Sequence, residues 1–302
     1  MNTARWKRRF VLPFFTVLGI IFAHSTWRLF AGGLSPVWAG PAITAGSFFF
    51  FLGWVVTTGT PRTSERLPGL LGTGAGGVAI TIAAAIAGTT PSALPLAYAV
   101  TAFAGLVVYV FWYSELDRQP SVVLSVGRTL PEFQIDSEFG VPISSHALRG
   151  QPAVWLFFRG NWCPLCMAQI QEVADLYKQL AARGAQVALV SPQSHEQTRA
   201  LARRFGVPFR YFVDPAGRAA RALGIFHESG VPLGIPGYGN DTVFPTVIVT
   251  DAEGRILLAD QTDNYRVRPD PTTFLAALDA ANPDATSPRV RSAREQAQEM
   301  NG

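Results

Sequence analysis

The chain has 302 residues, 48% of them hydrophobic and 15% charged, with a formal net charge of +4. Residues 10 to 113 carry only Arg28, Arg62, Glu65 and Arg66, with Arg5, Lys7, Arg8 and Arg9 just before them, so the basic excess flanks apolar sequence and residues 114 to 302 are net acidic. That distribution excludes nucleic-acid binding as the meaning of the positive charge, and the near absence of charge over the first third excludes a wholly water-soluble protein.

Four apolar stretches run over residues 10–30, 37–57, 68–88 and 93–113. Each matches the roughly 20 residues that a helix rising 1.5 Å per residue needs to cross a bilayer. Trp38, Trp54, Trp112 and Tyr113 lie near their ends, as interfacial aromatics do. The third stretch repeats small residues every fourth position, Gly72 with Gly76 and Ala75, Ala79, Ala83 and Ala87, a pattern that predicts close approach of another helix. Lys and Arg favour one side: residues 1–9 hold four, and Arg62, Arg66, Arg118 and Arg128 follow, while the opposite side has Arg28 and none in the loop at 89–92. This predicts four spans with both termini, and the carboxyl-terminal domain, on the cytoplasmic side. The first stretch is uninterrupted only over residues 10–23, before His24, Ser25, Thr26 and Arg28, and reads alternatively as a signal sequence. The apolar region has no cysteine, His24 as its one histidine and no acidic residue inside a span. Thiol relay, bis-histidine haem and a carboxylate proton path are thereby excluded, which leaves anchoring or binding of a membrane-protein partner.

Residues 114–130 read as a linker. Beyond it, strand-like runs at 132–135, 153–158, 186–190, 209–213, 242–250 and 255–260 alternate with helical periodicity, the pattern of an α/β sheet. The clearest helix is 164–183, with Met167, Ile170, Val173, Tyr177 and Leu180 on one stripe, and others fall at 196–205, 218–223 and 271–281. Asp251-Ala252-Glu253-Gly254 predicts a hairpin turn. The domain therefore spans 131–281, and the polar residues 282–302 read as a flexible tail.

The chain's two cysteines, Cys163 and Cys166, lie in Arg159-Gly160-Asn161-Trp162-Cys163-Pro164-Leu165-Cys166, after a strand and at the start of a helix. Unpaired N–H groups and the positive helix end favour a thiolate on the first cysteine, and Pro164 suits the first helical turn. Cys166 is one turn on, within reach of a disulfide. The functional reading is a redox dithiol in which Cys163 attacks and Cys166 resolves; an inert buried pair is the alternative. A zinc site lacks ligands, because His146, His195 and His227 are not paired at ligand spacing, so no metal and no other cofactor is expected.

Trp162-Cys163-x-x-Cys166 after a strand resembles the thioredoxin superfamily. The longer run from Phe157 to Cys166 resembles its peroxiredoxin-like branch, the alkyl hydroperoxide reductase and thiol-specific antioxidant family. Supporting pieces are Val190-Ser191-Pro192-Gln193-Ser194, Asp214-Pro215 and Phe244-Pro245-Thr246-Val247. The resemblance implies a thioredoxin-like fold, a central mixed sheet flanked by helices, behind a four-helix transmembrane domain. It also implies a cis-proline at Pro245 facing the dithiol, with Trp162, Phe244 and Pro245 positioning substrate. The implied activity is thiol-dependent reduction of a protein disulfide or a peroxide, fed by a thioredoxin- or glutathione-type electron donor. Two family features are missing: the hydroxyl three residues before the attacking cysteine is replaced by Gly160, with Leu156 where a proline is usual, and the buried aspartate of thioredoxins is replaced by Phe157. Arg159 is the first candidate to stabilise a thiolate or peroxide, with Arg210 and Arg266 behind it, and a threonine at 160 is expected to raise peroxide turnover. Two non-catalytic readings stay open: a membrane redox sensor, and a scaffold with a redox-silent domain.

Overall fold

The structure, a computed structural model, describes residues 3–31, 35–88, 93–233 and 235–282. These residues separate into two compact units, one amino-terminal up to Leu116 and one from Asp117 onward. The loop at 89–92 and residues 283–302 of the expected tail lie outside the described residues.

The first unit contains α1 (Thr3–Ala31), α2 (Pro36–Thr58), α3 (Pro68–Ile86) and α4 (Ala93–Val108), the last extended by a π-helical turn, Tyr109–Tyr113. Among the described residues, these are four helices long and apolar enough to cross a membrane. Helix α1 runs unbroken through His24 to Arg28, the polar cluster that interrupts its hydropathy. Phe14 anchors an aromatic core, with ring centroids 5.5 Å from Tyr109 and 4.8 Å from Phe48. Trp38, expected at an interface, is buried, and its ring meets His24 edge-on at 5.2 Å.

Helices α2 and α3 approach through glycine, but not the glycines whose spacing stood out. Gly72, Gly76, Ala75, Ala79, Ala83 and Ala87 are all exposed, while Leu70, Gly74, Gly77 and Thr81 form the buried stripe of α3. A Cβ at Gly77 would sit 2.5 Å from the Gly40 carbonyl oxygen, and one at Gly40 would overlap the Gly77 carbonyl. Thr44 Oγ1 donates to Gly40 O at 3.0 Å and to Gly74 O at 3.1 Å, and Thr81 Oγ1 donates to Gly77 O at 3.0 Å. Two Gly-x-x-x-Thr faces therefore meet. The expectation failed because a small-residue period marks a face that could pack without saying which face a neighbour takes.

The second unit's strands are β1 (Gln134–Ser137), β2 (Pro142–Ser144), β3 (Ala153–Phe157), β4 (Gln186–Ser191), β5 (Arg210–Val213), β6 (Phe226–His227), β7 (Thr242–Val243), β8 (Thr246–Thr250) and β9 (Ile256–Asp260). Its helices are α5 (Pro164–Asp175), α6 (Tyr177–Ala182), α7 (His195–Arg204), α8 (Arg218–Ala222) and α9 (Thr272–Ala281). Seven strands form one mixed sheet in the order β2-β1-β5-β4-β3-β8-β9, and β6 pairs with β7 separately. This is the thioredoxin-like fold. Strand β3 lies inside it, parallel to β4 and antiparallel to β8. All five of its residues are buried, which explains its unbroken apolar run. Ala153, Trp155 and Phe157 alternate onto one face, in a core with Phe133, Ile135, Val190, Phe212 and Ile248.

Three expectations are corrected. The run at 242–250 is two strands, because Phe244 and Pro245 interrupt it and proline has no N–H for the ladder. The helix at 164–183 breaks at Leu176, whose ψ of 3° departs from helical geometry. The stretch expected as a linker is largely part of the fold: Leu124 and Leu130 are in the core, and Gly127 and Leu130 donate backbone hydrogen bonds to Ile256 and Gly254.

Candidate active site

Strand β3 ends by handing the chain to the segment that carries both cysteines. Phe158 N–H still bonds Val190 O at 3.0 Å, and then Gly160 turns the backbone at φ +139°, closed by Cys163 N–H to Gly160 O at 3.1 Å. Gln193, buried after β4, holds this loop: its Oε1 accepts from Asn161 N–H at 2.9 Å, while Asn161 Nδ2 donates to Gln197 O at 2.8 Å. That is the physical use of the Ser-Pro-Gln run noted in the sequence. Cys163 is the N-cap of α5 and Pro164 follows within its first turn, where the missing N–H costs nothing.

Both cysteines are free thiols and both are buried, Cys163 at 2% exposure and Cys166 at 1%. Each thiol acts on the ionisation of the other, so the two titrate as a pair. Burial alone pushes Cys166 up, but the hydrogen bond from Cys163, the Arg268 guanidinium and the Arg159 backbone N–H outweigh it and bring the thiol down to about 6. Cys163, donating to that sulfur and buried beside it, is held well above the ordinary thiol value. The sequence put the low pKa on Cys163 because of its helix-start position. The structure favours Cys166, where a cation makes direct contact: Arg268 Nη2 lies 3.6 Å from Cys166 Sγ.

Arg159, the sequence's candidate stabiliser, is buried near the pair, and its charge favours thiolate on either sulfur. Its guanidinium is engaged elsewhere: Nη2 donates to Gly230 O at 2.5 Å, and the group stacks 4.7 Å from the Trp162 ring centroid and 5.7 Å from that of Tyr265. Trp162 is half-buried, meets Tyr238 edge-on at 6.4 Å, and its Nε1 has no hydrogen-bond partner among the described residues. Arg210 is exposed, reaching Gln186 Oε1 at 3.3 Å, and Arg266 is buried.

The Phe244–Pro245 bond is trans, against the cis form that the resemblance implied, since no peptide bond among the described residues is cis. The trans isomer of an X–Pro bond is favoured by about 0.5–1 kcal/mol, and here the surrounding backbone is satisfied without the switch. Phe244 N–H donates to Ile225 O at 2.8 Å, and Pro245 O accepts from Arg118 Nη1 at 3.0 Å. Arg118 is buried at 4% exposure, reaches Thr246 Oγ1 at 3.2 Å and lies over the Phe244 ring; burial lowers its pKa to about 10. Arg118 and Arg268 were invisible to sequence reasoning. Arg268 is 102 residues from Cys166, in a stretch with no motif, and its one local signal is its place shortly after the last strand.

Asp214-Pro215 serves the fold: the Asp214 carboxylate accepts from Ala219 N–H at 2.8 Å and Ala220 N–H at 2.9 Å at the start of α8, and burial pushes its pKa up. Among the described residues, no three His, Cys, Asp or Glu side chains cluster as a metal site.

With β3, the glycine turn and the dithiol at the head of α5 in place, comparison with known proteins can be read. Residues 126–259 match the AhpC/TSA family. They form an AhpC/TSA family domain. The chain is 28% identical over 110 residues to a chloroplastic peroxiredoxin Q of Sedum lineare, covering 36% of this chain and 59% of that protein. It is 20% identical over 154 residues to the thiol-disulfide oxidoreductase ResA of Bacillus cereus, covering 51% of this chain and 76% of ResA. The chain spans about half the length of the peroxiredoxin Q relatives. Among solved structures, the peroxidoxin BcpB of Mycobacterium tuberculosis is 23% identical with a TM-score of 0.42, covering 51% of this chain and 96% of BcpB. The AhpC/TSA match begins past the four apolar helices, which it leaves uncovered.

Proposed function

We propose that the protein is a membrane-tethered thiol oxidoreductase of the peroxiredoxin-like group that uses the Cys163/Cys166 dithiol to reduce a protein disulfide or a peroxide. The observation that carries this reading is the pair of free, buried thiols at the start of α5, with a guanidinium on one sulfur. A redox-silent scaffold has no need of a thiol brought down to about 6.

Cys163 attacks and Cys166 resolves. As substrate arrives, the Cys163 proton passes along the S–H···S hydrogen bond to Cys166, and Cys163 sulfur attacks one sulfur of the substrate disulfide, expelling the other as thiolate. Cys166 gives its proton to that leaving group and attacks Cys163 Sγ; the second substrate sulfur leaves as a thiolate, to be protonated by solvent, and the Cys163–Cys166 disulfide closes, two electrons having passed to the substrate. A thioredoxin- or glutathione-type donor reopens it. Trp162, Phe244 and Pro245 flank the incoming substrate, and Trp162 brings an N–H without a partner among the described residues. The four apolar helices tether the domain, on the cytoplasmic side by the Lys/Arg asymmetry, and present a surface to a membrane-protein partner.

Disulfide exchange is favoured over fast peroxide reduction. Breaking an O–O bond needs donors for the developing negative charge, and Gly160 supplies no hydroxyl. Loss of one such donor typically costs about 3 kcal/mol, or a hundredfold in rate. The test is turnover of the purified full chain with a thioredoxin-type donor, comparing a protein disulfide with hydrogen peroxide. Disulfide turnover abolished by Cys163→Ser supports the proposal. A redox-inert pair, or a double Cys→Ser protein that turns over normally, overturns it. A peroxide rate constant near 10⁷ M⁻¹s⁻¹, high in the usual enzymatic range, would reverse the preference between substrates.

A further inference from the structure

Resting on the dithiol reading above, we propose that Arg268 is the built-in counter-ion of the reduced pair. Closure of the Cys163–Cys166 disulfide leaves Arg268 buried without a counter-charge, so the residue biases the pair towards its reduced state and makes the disulfide a strong electron acceptor. Arg268 is 6% exposed, its Nη2 bonds Cys166 Sγ at 3.6 Å, and its Nε has no partner among the described residues. Buried guanidinium groups ordinarily sit against a carboxylate. Here the nearby acids serve another residue: Asp260 and Asp263 act on Arg118, whose backbone N–H also donates to Asp263 Oδ1 at 2.7 Å.

The charged groups acting on the two sulfurs are Arg159, from the loop after β3, and Arg268, from the segment after β9. Arg118 repels Arg268 in turn. Arg159 has Gly230 O and two aromatic faces to hold it whatever the state of the sulfurs. Arg268 depends on Cys166. Oxidation removes the negative charge that Arg268 faces, so every increment of stability that Arg268 gives the thiolate is lost from the disulfide.

With glutathione disulfide as oxidant, the Cys163 S–H and Cys166 S⁻ become one S–S bond and the glutathione S–S bond breaks, two electrons moving to glutathione. Two glutathione thiols form, taking one proton from Cys163 and one from solvent. While Cys166 is ionised and glutathione is not, the equilibrium constant for oxidation therefore falls tenfold per pH unit. A pair with both thiols protonated would show no such slope.

The experiment equilibrates the full chain in detergent micelles with glutathione redox buffers from pH 6.5 to 8.0 and measures the disulfide fraction by mass shift after quenching. The wild-type protein is expected to show the tenfold slope. Arg268→Met should flatten the slope and form its disulfide at least tenfold more readily at pH 7.5, about 30 mV towards the reducing side, and Arg268→Lys should keep part of both effects. Should the methionine variant not fold, Arg268→Gln, which keeps donors without charge, carries the same expectation. An unchanged constant and slope in the neutral variants overturns the assignment of Arg268 while leaving the dithiol reading intact. A wild-type pair that forms no disulfide at any buffer ratio overturns both.

Discussion

Arg268 and Cys166 meet in the interior of the second unit, Nη2 to Sγ 3.6 Å apart. That contact gives the second cysteine of the motif the thiolate stabilisation that the helix start was expected to supply to the first. The pair should therefore titrate in two separated steps. Reaction of the reduced protein with a neutral alkylating agent should rise through about pH 6, stay level to about 8, and rise again only above the ordinary thiol value of 9.0. The same separation links to stability. The folded Cys166 ionises below an unfolded thiol, so the reduced fold gains stability as pH climbs from about 6 to about 9 and loses it on descent through 6. Cys163, shifted the other way, takes stability back above 9. Denaturant unfolding of the reduced protein across this range measures both limbs.

Roles within the pair are a separate matter from where the resting charge lies. Cys163 is the N-cap residue and Cys166 is within the first turn of α5, against Arg268. Cys166→Ser should trap a stable mixed disulfide, or a sulfenic acid after peroxide, on Cys163. Cys163→Ser should trap neither. Mass mapping of the adduct decides, and an adduct on Cys166 in the Cys163→Ser protein reverses the roles.

Gly160 was the position where a single substitution was expected to restore peroxide chemistry, and the structure changes that expectation. Its φ of +139° belongs to a region that residues with a Cβ rarely adopt, and a Cβ there would lie 2.8 Å from Trp162 Nε1 and 3.1 Å from Tyr238 Cε1. Gly160→Thr is expected to destabilise the domain by about 1–3 kcal/mol and to lower turnover on every substrate by displacing Trp162. Denaturant midpoints and paired peroxide and disulfide assays check this. A stable variant with faster peroxide turnover would show that the turn can relax.

These cases show which parts of the molecule its sequence exposes. The strand at 153–157 and the dithiol after it were legible because a fully buried strand is a run of apolar residues and a helix start has its own chemistry. Strands β2 and β6 were not, since three and two residues are too few to display a period. Pro245 read as cis from a resemblance, whereas the bond is trans and the Pro245 carbonyl is held by Arg118, which the motif does not contain. Arg268 was illegible for the most general reason. A buried charge is placed by the tertiary path of the chain, and nothing local to Val267-Arg268-Pro269 points at a sulfur 102 residues earlier.

The α2–α3 crossing gives a prediction in the first unit. Gly77→Val would push a side chain into the Gly40 carbonyl and the Thr44 hydroxyl, against backbone that cannot yield locally. Gly76→Val meets open space on the exposed face of the same helix. The first is expected to lower the melting temperature of the detergent-solubilised protein by several degrees and the second to leave it within error. Equal loss in both would place a helix contact on the glycine stripe that the sequence first suggested.

The proposed sidedness rests on charge and on the first helix. Residues 1–9, Arg62, Arg66, Arg118 and Arg128 put eight Lys or Arg on one side, against Arg28 on the other. The weak point in that count was the first span, whose apolar run breaks at His24. Helix α1 continues through that break to Ala31, and His24 Nδ1 is within 3.2 Å of the Tyr98 hydroxyl on α4. Under the proposed topology α1 is the first of four spans, which return the chain to the side on which it began. A reporter that is active only outside the cytoplasm, fused after residue 281, should be silent, and a cytoplasmic reporter at the same point should be active. The opposite result would put Cys163 and Cys166 in an oxidising compartment, where the pair would rest as a disulfide and the reduction of substrate disulfides would need an external source of electrons.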